Sequence, residues 1–179
     1  MAGVLQGTCD EKVFCSTMES PLGRLWLAST RAGLVKVALP GEDEHENLGW
    51  LAFRFPGAVP VDGADENEMF VRQLDEYFAG SRMTFDCPVR LVVRDFTRRV
   101  LEATSCIPCG ETRSYGEIAV AVGSPSAARA VGRSLATNPV PIIIPCHRVV
   151  GSDGSLVGFG GGLRIKEWLL AHERRATAG

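Results

Sequence analysis

A proline-rich segment that ends in Pro145-Cys146-His147-Arg148 constrains the fold of this chain more than any other feature. Prolines at positions 139, 141 and 145 fix φ and disfavour helix in the residues before them, so the cysteine is presented on an extended stretch. A cysteine attacks only as its thiolate, and an adjacent base or positive field raises the thiolate fraction. The four residues fit either a reactive thiol or a buried strand end with an incidental cysteine, since free cysteine is often buried.

The length and composition are those of an ordinary globular protein. The 179 residues suit one domain or two small ones, with a hydrophobic core large enough not to need disulfides or a structural metal. No run of about 18 apolar residues occurs and the first residues lack a signal-peptide pattern, so we expect neither a membrane span nor a signal peptide. Six cysteines without a secretory signal then indicate a reducing compartment, cytoplasmic or, in a eukaryote, nuclear.

The net charge of −2 is distributed unevenly along the chain. Residues 1–85 contain 13 Asp and Glu against 7 Lys and Arg, a net of −6, whereas residues 86–179 contain 8 against 12, a net of +4. Basic charge concentrated in one half suits contact with phosphates. A chance difference in composition between the two halves would give the same totals.

The first half predicts a small scaffold with an antiparallel meander. Its three short β-type runs are Val13-Phe14, 25–28 and 34–39, with turn sequences at 21–23 and 31–33. An acidic segment at 41–47 starts a helix or a loop, and residues 67–78 have helical spacing. An extended link near 84–93 then predicts two domains, 1–87 and 88–179.

The second half predicts a helix-turn-helix. Asp95 caps a first helix, and Ser114-Tyr115-Gly116-Glu117 has the pattern of a capping box at the start of the next. Gly123 can take the left-handed position that ends that helix, Ser124 caps the following one, and Pro125 suits its first turn. Two capped helices with so short a turn make a helix-turn-helix, and the expected fold class is α+β with a helical C-terminal domain.

The second of these helices has a small, basic outer face. Its inward positions are Ala127, Val131 and Leu135, and its outward positions are Arg129, Gly132, Arg133 and Ala136. An ordinary surface helix has the same pattern, but a helix-turn-helix just before a reactive cysteine favours DNA contact. A glycine-rich loop at 149–163 lets backbone approach a ligand, and His172 in the last helix is interpreted as a packed histidine.

Residues 138–149, Asn-Pro-Val-Pro-Ile-Ile-Ile-Pro-Cys-His-Arg-Val, resemble the active-site signature of the O6-alkylguanine-DNA alkyltransferases (methylated-DNA–protein-cysteine methyltransferases). The likeness extends from about Phe96 to Glu173 and includes 127–132 and 166–173. The resemblance implies DNA repair by direct reversal, in which a monomer binds double-stranded DNA and takes an alkyl (methyl) group from O6-alkylguanine without a cofactor. O4-alkylthymine is a second candidate substrate. The product is a thioether, so the protein acts once.

The resemblance also implies roles for individual residues. Cys146 is the alkyl acceptor, His147 its base through a water, and Glu173 orients His147. Asn138 ties the active-site turn, and Tyr115 turns the nucleotide out and donates toward guanine N3. Implied DNA contacts are Arg129, which fills the space left by the flipped base, and Thr97, Tyr115, Ser124, Ala127, Ala128 and Ser152. Implied pocket residues are Pro141, Val149, Phe159, Gly160 and Lys166.

The sequence departs from the family pattern at two pocket positions, and it lacks the ligands of a zinc site that some members carry. Phe159 stands where a tyrosine is usual and Gly160 where some members carry serine, which we expect to shift alkyl preference rather than remove catalysis. Some members hold a structural zinc near the N-terminus with two Cys and two His. Here Cys9 and Cys15 have only His45 to join them, so we expect no metal. Cys106-Ile-Pro-Cys109 has redox or half-zinc spacing, but no second such pair follows.

Three rival functions fit parts of the sequence. An alkyltransferase-like protein binds alkylated DNA without repairing it, but such proteins lack the acceptor cysteine that Cys146 supplies. A transcription factor that senses alkylation needs a regulatory domain, and none is visible. A cysteine hydrolase built on Cys146 and His147 would turn over many times.

Overall fold

The computed structural model describes residues 11–178, which form a small sheet with two helices followed by a helical region. The four-stranded sheet consists of β1 (Lys12–Met18), β2 (Leu25–Thr30), β3 (Gly33–Ala38) and β4 (Val59–Asp62), in the order β3-β2-β1-β4. Helix α1 (Glu44–Arg54) precedes β4, and α2 (Ala64–Phe78) follows it. The acidic segment therefore starts a helix, and the helix predicted over 67–78 is confirmed.

The predicted meander is confirmed, but the sheet is not purely antiparallel. Strands β1, β2 and β3 pair antiparallel, whereas β4 pairs parallel to β1. The prediction missed β4 because it is a short, largely exposed edge strand that contains Pro60, a residue that sheets accept mainly at their edges.

The helical region has four helices and two very short strands. They are α3 (Asp95–Ser105), β5 (Arg113–Ser114), α4 (Tyr115–Ala121), α5 (Ala128–Ala136), β6 (Val149–Val150) and α6 (Leu163–Thr177), with a 3₁₀ turn at Cys146–Arg148. β5 and β6 pair parallel. Within residues 11–178 no helix is both long enough and apolar enough to cross a membrane.

The predicted capping box at α4 is confirmed. The Ser114 hydroxyl accepts from Glu117 N at 3.2 Å, and the Glu117 carboxylate accepts from Ser114 N at 2.7 Å. Gly123 ends this helix with φ of 70°, in the left-handed region as expected.

Two other predicted helix caps, at Asp95 and Ser124, were wrong. Asp95 is the first residue of α3 and Arg94 occupies the cap, without a side-chain cap bond. Ser124 does not cap α5 either, because Ser124 O accepts from Ala127 N at 2.9 Å and closes a turn before the helix. Pro125 fits the second position of that turn, which its fixed φ suits as well as a helix start.

One hydrophobic core joins the two halves of the chain. It includes Leu27 and Leu74 from the first half and Leu101, Ile142 and Leu169 from the second, and none of them is exposed. A smaller cluster packs α1 against the opposite face of the sheet through Trp26, Leu51 and Phe55.

Strand β3 also binds the second half of the chain through backbone hydrogen bonds. Leu34 N donates to Pro88 O at 2.9 Å, Arg90 N donates to Leu34 O at 2.8 Å, and Val37 N donates to Pro139 O at 2.8 Å. The linking segment and the start of the Pro-rich segment are thus both bound to one strand. Gly33 permits this approach, since a Cβ there would lie 2.5 Å from Pro88 O and its φ is 127°.

Candidate active site and DNA interface

The segment before Cys146 is a tight, buried turn that Asn138 holds together. Ile142 adopts φ of 74°, a conformation that is rare for a β-branched residue and that persists here because the side chain is fully buried. Asn138 accepts from Val140 N at 3.1 Å and donates to Ile144 O at 2.9 Å. Its Nδ2 also lies 3.1 Å from the Cys146 Sγ, so the residue that ties the turn also contacts the thiol.

Cys146 is buried, and its surroundings act on the thiol in opposite directions. Burial raises the pKa of the Cys146 thiol, while the Asn138 amide, the Lys166 ammonium and nearby backbone N–H groups lower it, and burial prevails. At neutral pH the side chain is therefore a thiol rather than a thiolate. A base is needed to take its proton.

His147 is fully buried next to the cysteine and is bound to Glu173. The His147 Nε2 lies 2.7 Å from a Glu173 carboxylate oxygen. Burial lowers the pKa of His147 despite the opposing influence of Glu173, so the imidazole is neutral at pH 7. Because an ionised Glu173 accepts the Nε2 hydrogen, Nδ1 keeps its lone pair. Within residues 11–178, Nδ1 is buried without a hydrogen-bond partner.

Glu173 is the centre of a buried polar cluster that the sequence analysis found only in part. Besides His147, it accepts from Tyr77 Oη at 2.8 Å, from Arg148 at 2.9 and 3.0 Å, and from Gly110 N at 3.3 Å. Burial raises the pKa of Glu173, but the hydrogen bonds from His147 and Arg148 and their charges outweigh it and hold the pKa well below its usual range. Glu173 is thus an ionised, fully buried carboxylate and not a surface acid.

Tyr77 and Arg148 are the side chains of this cluster whose contacts with Glu173 were not predicted from the sequence. Tyr77 lies on α2, in the first half of the chain, and burial together with Glu173 raises its pKa far above the usual range, so its hydroxyl remains a donor. Arg148 also donates to Ile107 O at 2.5 Å. Arg148 could have been suspected, because it directly follows the Cys-His pair.

A cleft of about 600 Å³ lies between the outer face of α5 and the glycine-rich loop, with Cys146 in its wall. Helix α5 contributes residues that were predicted to face outward, and the loop contributes Phe159 and Gly160. The α5 residues are Ala128, Arg129, Gly132, Arg133, Leu135 and Ala136. Of these, Arg129, Gly132, Arg133 and Ala136 were predicted to face outward and Leu135 to face inward. Arg129 is exposed, whereas Val131 and Leu135 are buried as expected.

Tyr115 stands at the start of α4 and also lines this cleft. Its hydroxyl donates to Val157 O at 2.8 Å in the loop. Burial raises the pKa of Tyr115, with a further contribution from Cys146, so the phenol keeps its proton at neutral pH. Gly132 on α5 faces this ring, and a Cβ there would make ordinary van der Waals contact with Tyr115 carbons at 3.6 Å.

A second cavity of about 330 Å³ also touches Cys146. Pro141 and Phe159 line it together with Lys36 and Trp50 from the first half of the chain. The Lys36 ammonium is paired with Glu42 at 3.1 Å. The first half therefore supplies part of the wall beside the thiol, which the sequence analysis did not anticipate.

The remaining predicted site residues lie around these cavities in different environments. Lys166 is fully buried, with its ammonium donating to Val149 O at 2.6 Å and to Val157 O at 2.9 Å, so it ties the glycine-rich loop to β6. Thr97 on α3 lies 3.2 Å from the Ser134 hydroxyl of α5. Ser152 is exposed in the loop, while Ser124, Ala127 and Ala128 are half-buried near the start of α5.

Within residues 11–178, the other cysteines and His172 form no second site. Cys15, Cys87, Cys106 and Cys109 are free, and Cys9 lies outside the described residues. Residues 11–178 contain no cluster of three or more His, Cys, Asp and Glu that could hold a metal ion. His172 is packed as predicted, stacked on Trp168 with ring centroids 5.0 Å apart.

Two family models match nearly the whole described chain. Residues 13–91 match the ribonuclease-like domain of 6-O-methylguanine DNA methyltransferase, and residues 95–175 match the DNA binding domain of the same family. A methylated-DNA–protein-cysteine methyltransferase of Mycobacterium leprae (strain TN) is 44% identical over 163 residues, which are 90% of this chain and 93% of the relative. An inducible one of Bacillus subtilis (strain 168) is 40% identical over 153 residues, covering 86% of each.

Solved structures give the same result. The crystal structure of Mycobacterium tuberculosis O6-methylguanine methyltransferase has a TM-score of 0.78 and 42% identity, covering 92% of this chain and 94% of the other. The M. tuberculosis OGT in complex with DNA has a TM-score of 0.77 and 38% identity, covering 93% and 94%.

Proposed function

The chain belongs to the 6-O-methylguanine DNA methyltransferase family, and we propose that it repairs DNA by moving an alkyl group from guanine O6 to its own Cys146. The observation that carries the assignment is the placement of Cys146 in the wall of the α5 cleft, directly beside a neutral, buried His147 that Glu173 holds. A neutral imidazole can take the proton that a raised thiol pKa leaves on sulfur.

The transfer is a displacement at saturated carbon. The Cys146 Sγ forms a bond to the alkyl carbon as the bond from that carbon to O6 breaks, and the electron pair stays on the guanine. The thiol proton passes through a water to the Nδ1 of His147, and the resulting cation is stabilised by Glu173. The buried Nδ1, which has no hydrogen-bond partner among residues 11–178, supports this route, since it is the ring nitrogen whose lone pair can accept.

Tyr115 is proposed to neutralise the departing guanine by donating toward N3. Its raised pKa supports this role, because the phenol keeps its proton until the base accepts it. The hydroxyl must first leave Val157 O, to which it donates in this structure. That exchange couples entry of the base to a change at the glycine-rich loop.

Duplex DNA is proposed to lie along α5, with the damaged guanine turned out into the cleft. Chemistry on a base requires removing it from the stack, at a cost of a few kcal/mol. Arg129 is exposed on the face of α5 that lines the cleft, which suits insertion into the vacated space. Small residues on the same face, such as Gly132 and Ala136, let the helix approach a groove closely.

The guanine is proposed to be recognised by backbone groups, and the alkyl group by side chains that line the second cavity. Backbone groups around Cys146 and Val149, with the Gly160 amide, would read the guanine edge, and the Lys166 ammonium holds the Val149 carbonyl in place. Pro141 and Phe159 line the second cavity beside the thiol, which suits the alkyl group. O4-alkylthymine is a second candidate substrate of the same pocket.

The product is a thioether, which has no carbonyl for water to attack, so each molecule acts once. We also propose that the protein is a monomer whose residues 88–179 carry DNA binding and alkyl transfer on a scaffold of 1–87. A reducing compartment, the cytoplasm or a nucleus, suits the free state of the described cysteines.

Incubation with duplex DNA that carries a labelled O6-methylguanine tests the function. We expect label on the protein at a limit of one equivalent and restored guanine in the DNA. Catalytic release of label into solution would instead indicate a cysteine hydrolase, and binding without transfer would indicate a non-enzymatic alkylguanine-binding protein.

A further inference from the structure

A third cavity, which Cys146 does not line, lies where the two halves of the chain meet. Its volume is about 460 Å³. Four arginines line it: Arg54 from the end of α1, Arg90 from the linking segment, Arg94 at the N-cap of α3, and Arg98 within α3. Glu11 is the one acid among its described wall residues. The apolar part of the wall is formed by Phe55, Pro56, Ala58 and residues 91–93.

Two of the four arginines are already engaged within the protein. Arg90 pairs with Glu11, and its guanidinium lies 5.0 Å from the centroid of the Phe55 ring. Arg98 donates to Leu91 O at 2.8 Å. Glu11 neutralises Arg90, whereas Arg54, Arg94 and Arg98 have no carboxylate partner among the described wall residues of this cleft. Of these three, Arg98 is already bound to the Leu91 carbonyl, which leaves Arg54 and Arg94.

Arg54 is held in place but lacks a partner for one buried donor. Its guanidinium carbon lies 5.7 Å from the centroid of Trp50 and 5.5 Å from that of Phe53, which restricts the side chain. Within residues 11–178, the Arg54 Nε is buried without a hydrogen-bond acceptor. An unpaired buried N–H is unfavourable, and a guanidinium fork suits the oxygen atoms of a planar or tetrahedral anion.

The cleft also adjoins the proposed DNA face. Arg94 is the cap residue of α3, where backbone N–H groups add positive potential. Thr97, in the first turn of α3, is one of the proposed DNA contacts, and Arg94 precedes it by three residues.

We propose that this arginine cleft binds phosphate groups, with Arg54 and Arg94 as the contacting residues. The inference rests on the proposed DNA repair function for one of its two phosphate sources, the backbone of DNA beyond the flipped base. The other source is a free polyphosphate. The chemistry at the two guanidinium groups is the same for both.

The double variant Arg54→Gln, Arg94→Gln tests the proposal, with Arg72→Gln as the matched control. Arg72 lies on α2, outside the cleft, with 66% of its side chain exposed. DNA affinity is measured against salt on duplexes of about 10 and about 30 base pairs, one and three helical turns. Each lost phosphate contact lowers the slope of log K against log salt by about 0.9. We expect the double variant to lose about 1.8 on the longer duplex and Arg72→Gln to lose none.

A thermal shift with tripolyphosphate distinguishes the two sources. If the natural ligand is a free polyphosphate, tripolyphosphate raises the Tm of the wild type but not of the double variant. The salt slope of DNA binding is then the same for both proteins. If neither the slope nor the tripolyphosphate shift differs between wild type and the double variant, the proposal is overturned. The rate with free O6-benzylguanine should remain that of wild type in the double variant. If the wild type transfers no methyl group from O6-methylguanine in duplex DNA to Cys146, the proposed repair function fails independently of the cleft.

Discussion

Replacing Glu173 by glutamine should damage both the stability and the chemistry of this protein. Glu173 is fully buried and accepts hydrogen bonds from Tyr77, His147, Arg148 and Gly110. Glutamine has similar volume but no charge, so the Arg148 guanidinium would be left buried without its anion. Removing one partner of a buried ion pair costs about 3–5 kcal/mol, which corresponds to a fall in Tm of about 6–20 °C for a chain of this size.

The stability difference should depend on pH in a defined direction. The folded-state pKa of Glu173 is held well below its usual range, whereas a glutamate in the unfolded chain titrates near 4.3. The stabilisation is therefore complete above about pH 4.3 and is lost as pH falls toward the folded-state pKa. Thermal melts of wild type and Glu173→Gln should differ most at neutral pH and converge in acid.

The rate of alkyl transfer by Glu173→Gln should differ from that of wild type at neutral pH and recover at alkaline pH. Without Glu173, His147 loses both the partner that fixes its tautomer and the charge that raises its pKa, so it becomes a poorer base. General-base catalysis contributes about 10²–10⁴-fold, and we expect a loss of that order in the rate with free O6-benzylguanine at pH 7. The rate should recover only well above the ordinary thiol pKa of about 8.5, because burial raises the pKa of Cys146.

Glu167→Gln, an exposed change on the same helix, is the control for α6. A double variant that also lacks His147 should be little slower than either single variant, because the two act as a unit. A natively folded Glu173→Gln protein with wild-type rate and an unchanged pH profile would remove Glu173 from the mechanism.

Three further predictions test separate parts of the account. Arg129→Ala should reduce repair of duplex DNA far more than reaction with free O6-benzylguanine, because a free base needs no flipping; an equal loss on both substrates would assign Arg129 to the chemistry or the fold. Tyr77→Phe should lower the free energy of unfolding by about 1.5–3 kcal/mol in denaturant melts, since it deletes a donor to a charged acceptor, while alkyl transfer persists; unchanged stability would contradict that role. Gly33→Ala should lower Tm, because its Cβ would lie 2.5 Å from Pro88 O at a φ of 127°, and an unchanged Tm would show that the linking segment moves freely there.

Local sequence signals predicted much of this fold. The capping box at Ser114 and Glu117 and the left-handed Gly123 depend on neighbouring residues only, and both are confirmed. Ser124 was misplaced because serine followed by proline suits a turn as well as a helix start. Strand β4 was missed because its exposed edge position leaves no apolar alternation to detect.

Long-range contacts at the site could not be predicted in the same way. The Tyr77 hydroxyl meets Glu173 across 96 positions of sequence, and no periodic pattern connects α2 with α6. On sequence alone, Tyr77 fitted the apolar face of a scaffold helix. Lys36 and Trp50 line the cavity beside Cys146 for a similar reason, since only the docking of the two halves brings them there.

The pKa of Cys146 also depends on packing rather than on its neighbours in sequence. An adjacent histidine and arginine suggested a thiol activated by its surroundings. In the structure, burial raises the pKa of Cys146, and the Arg148 side chain is bound to Glu173 instead. Activation of the thiol is therefore assigned to proton transfer during the reaction.

The most direct test of the central claim is to locate the transferred methyl group. Duplex DNA with a labelled O6-methylguanine is incubated with wild type and with Cys146→Ser, and the protein is then digested and analysed by mass spectrometry. The account predicts one methyl group on Cys146 of the wild type and none on the serine variant, which should still bind the damaged duplex. Methyl transfer by Cys146→Ser, or label on a different residue of the wild type, would contradict it.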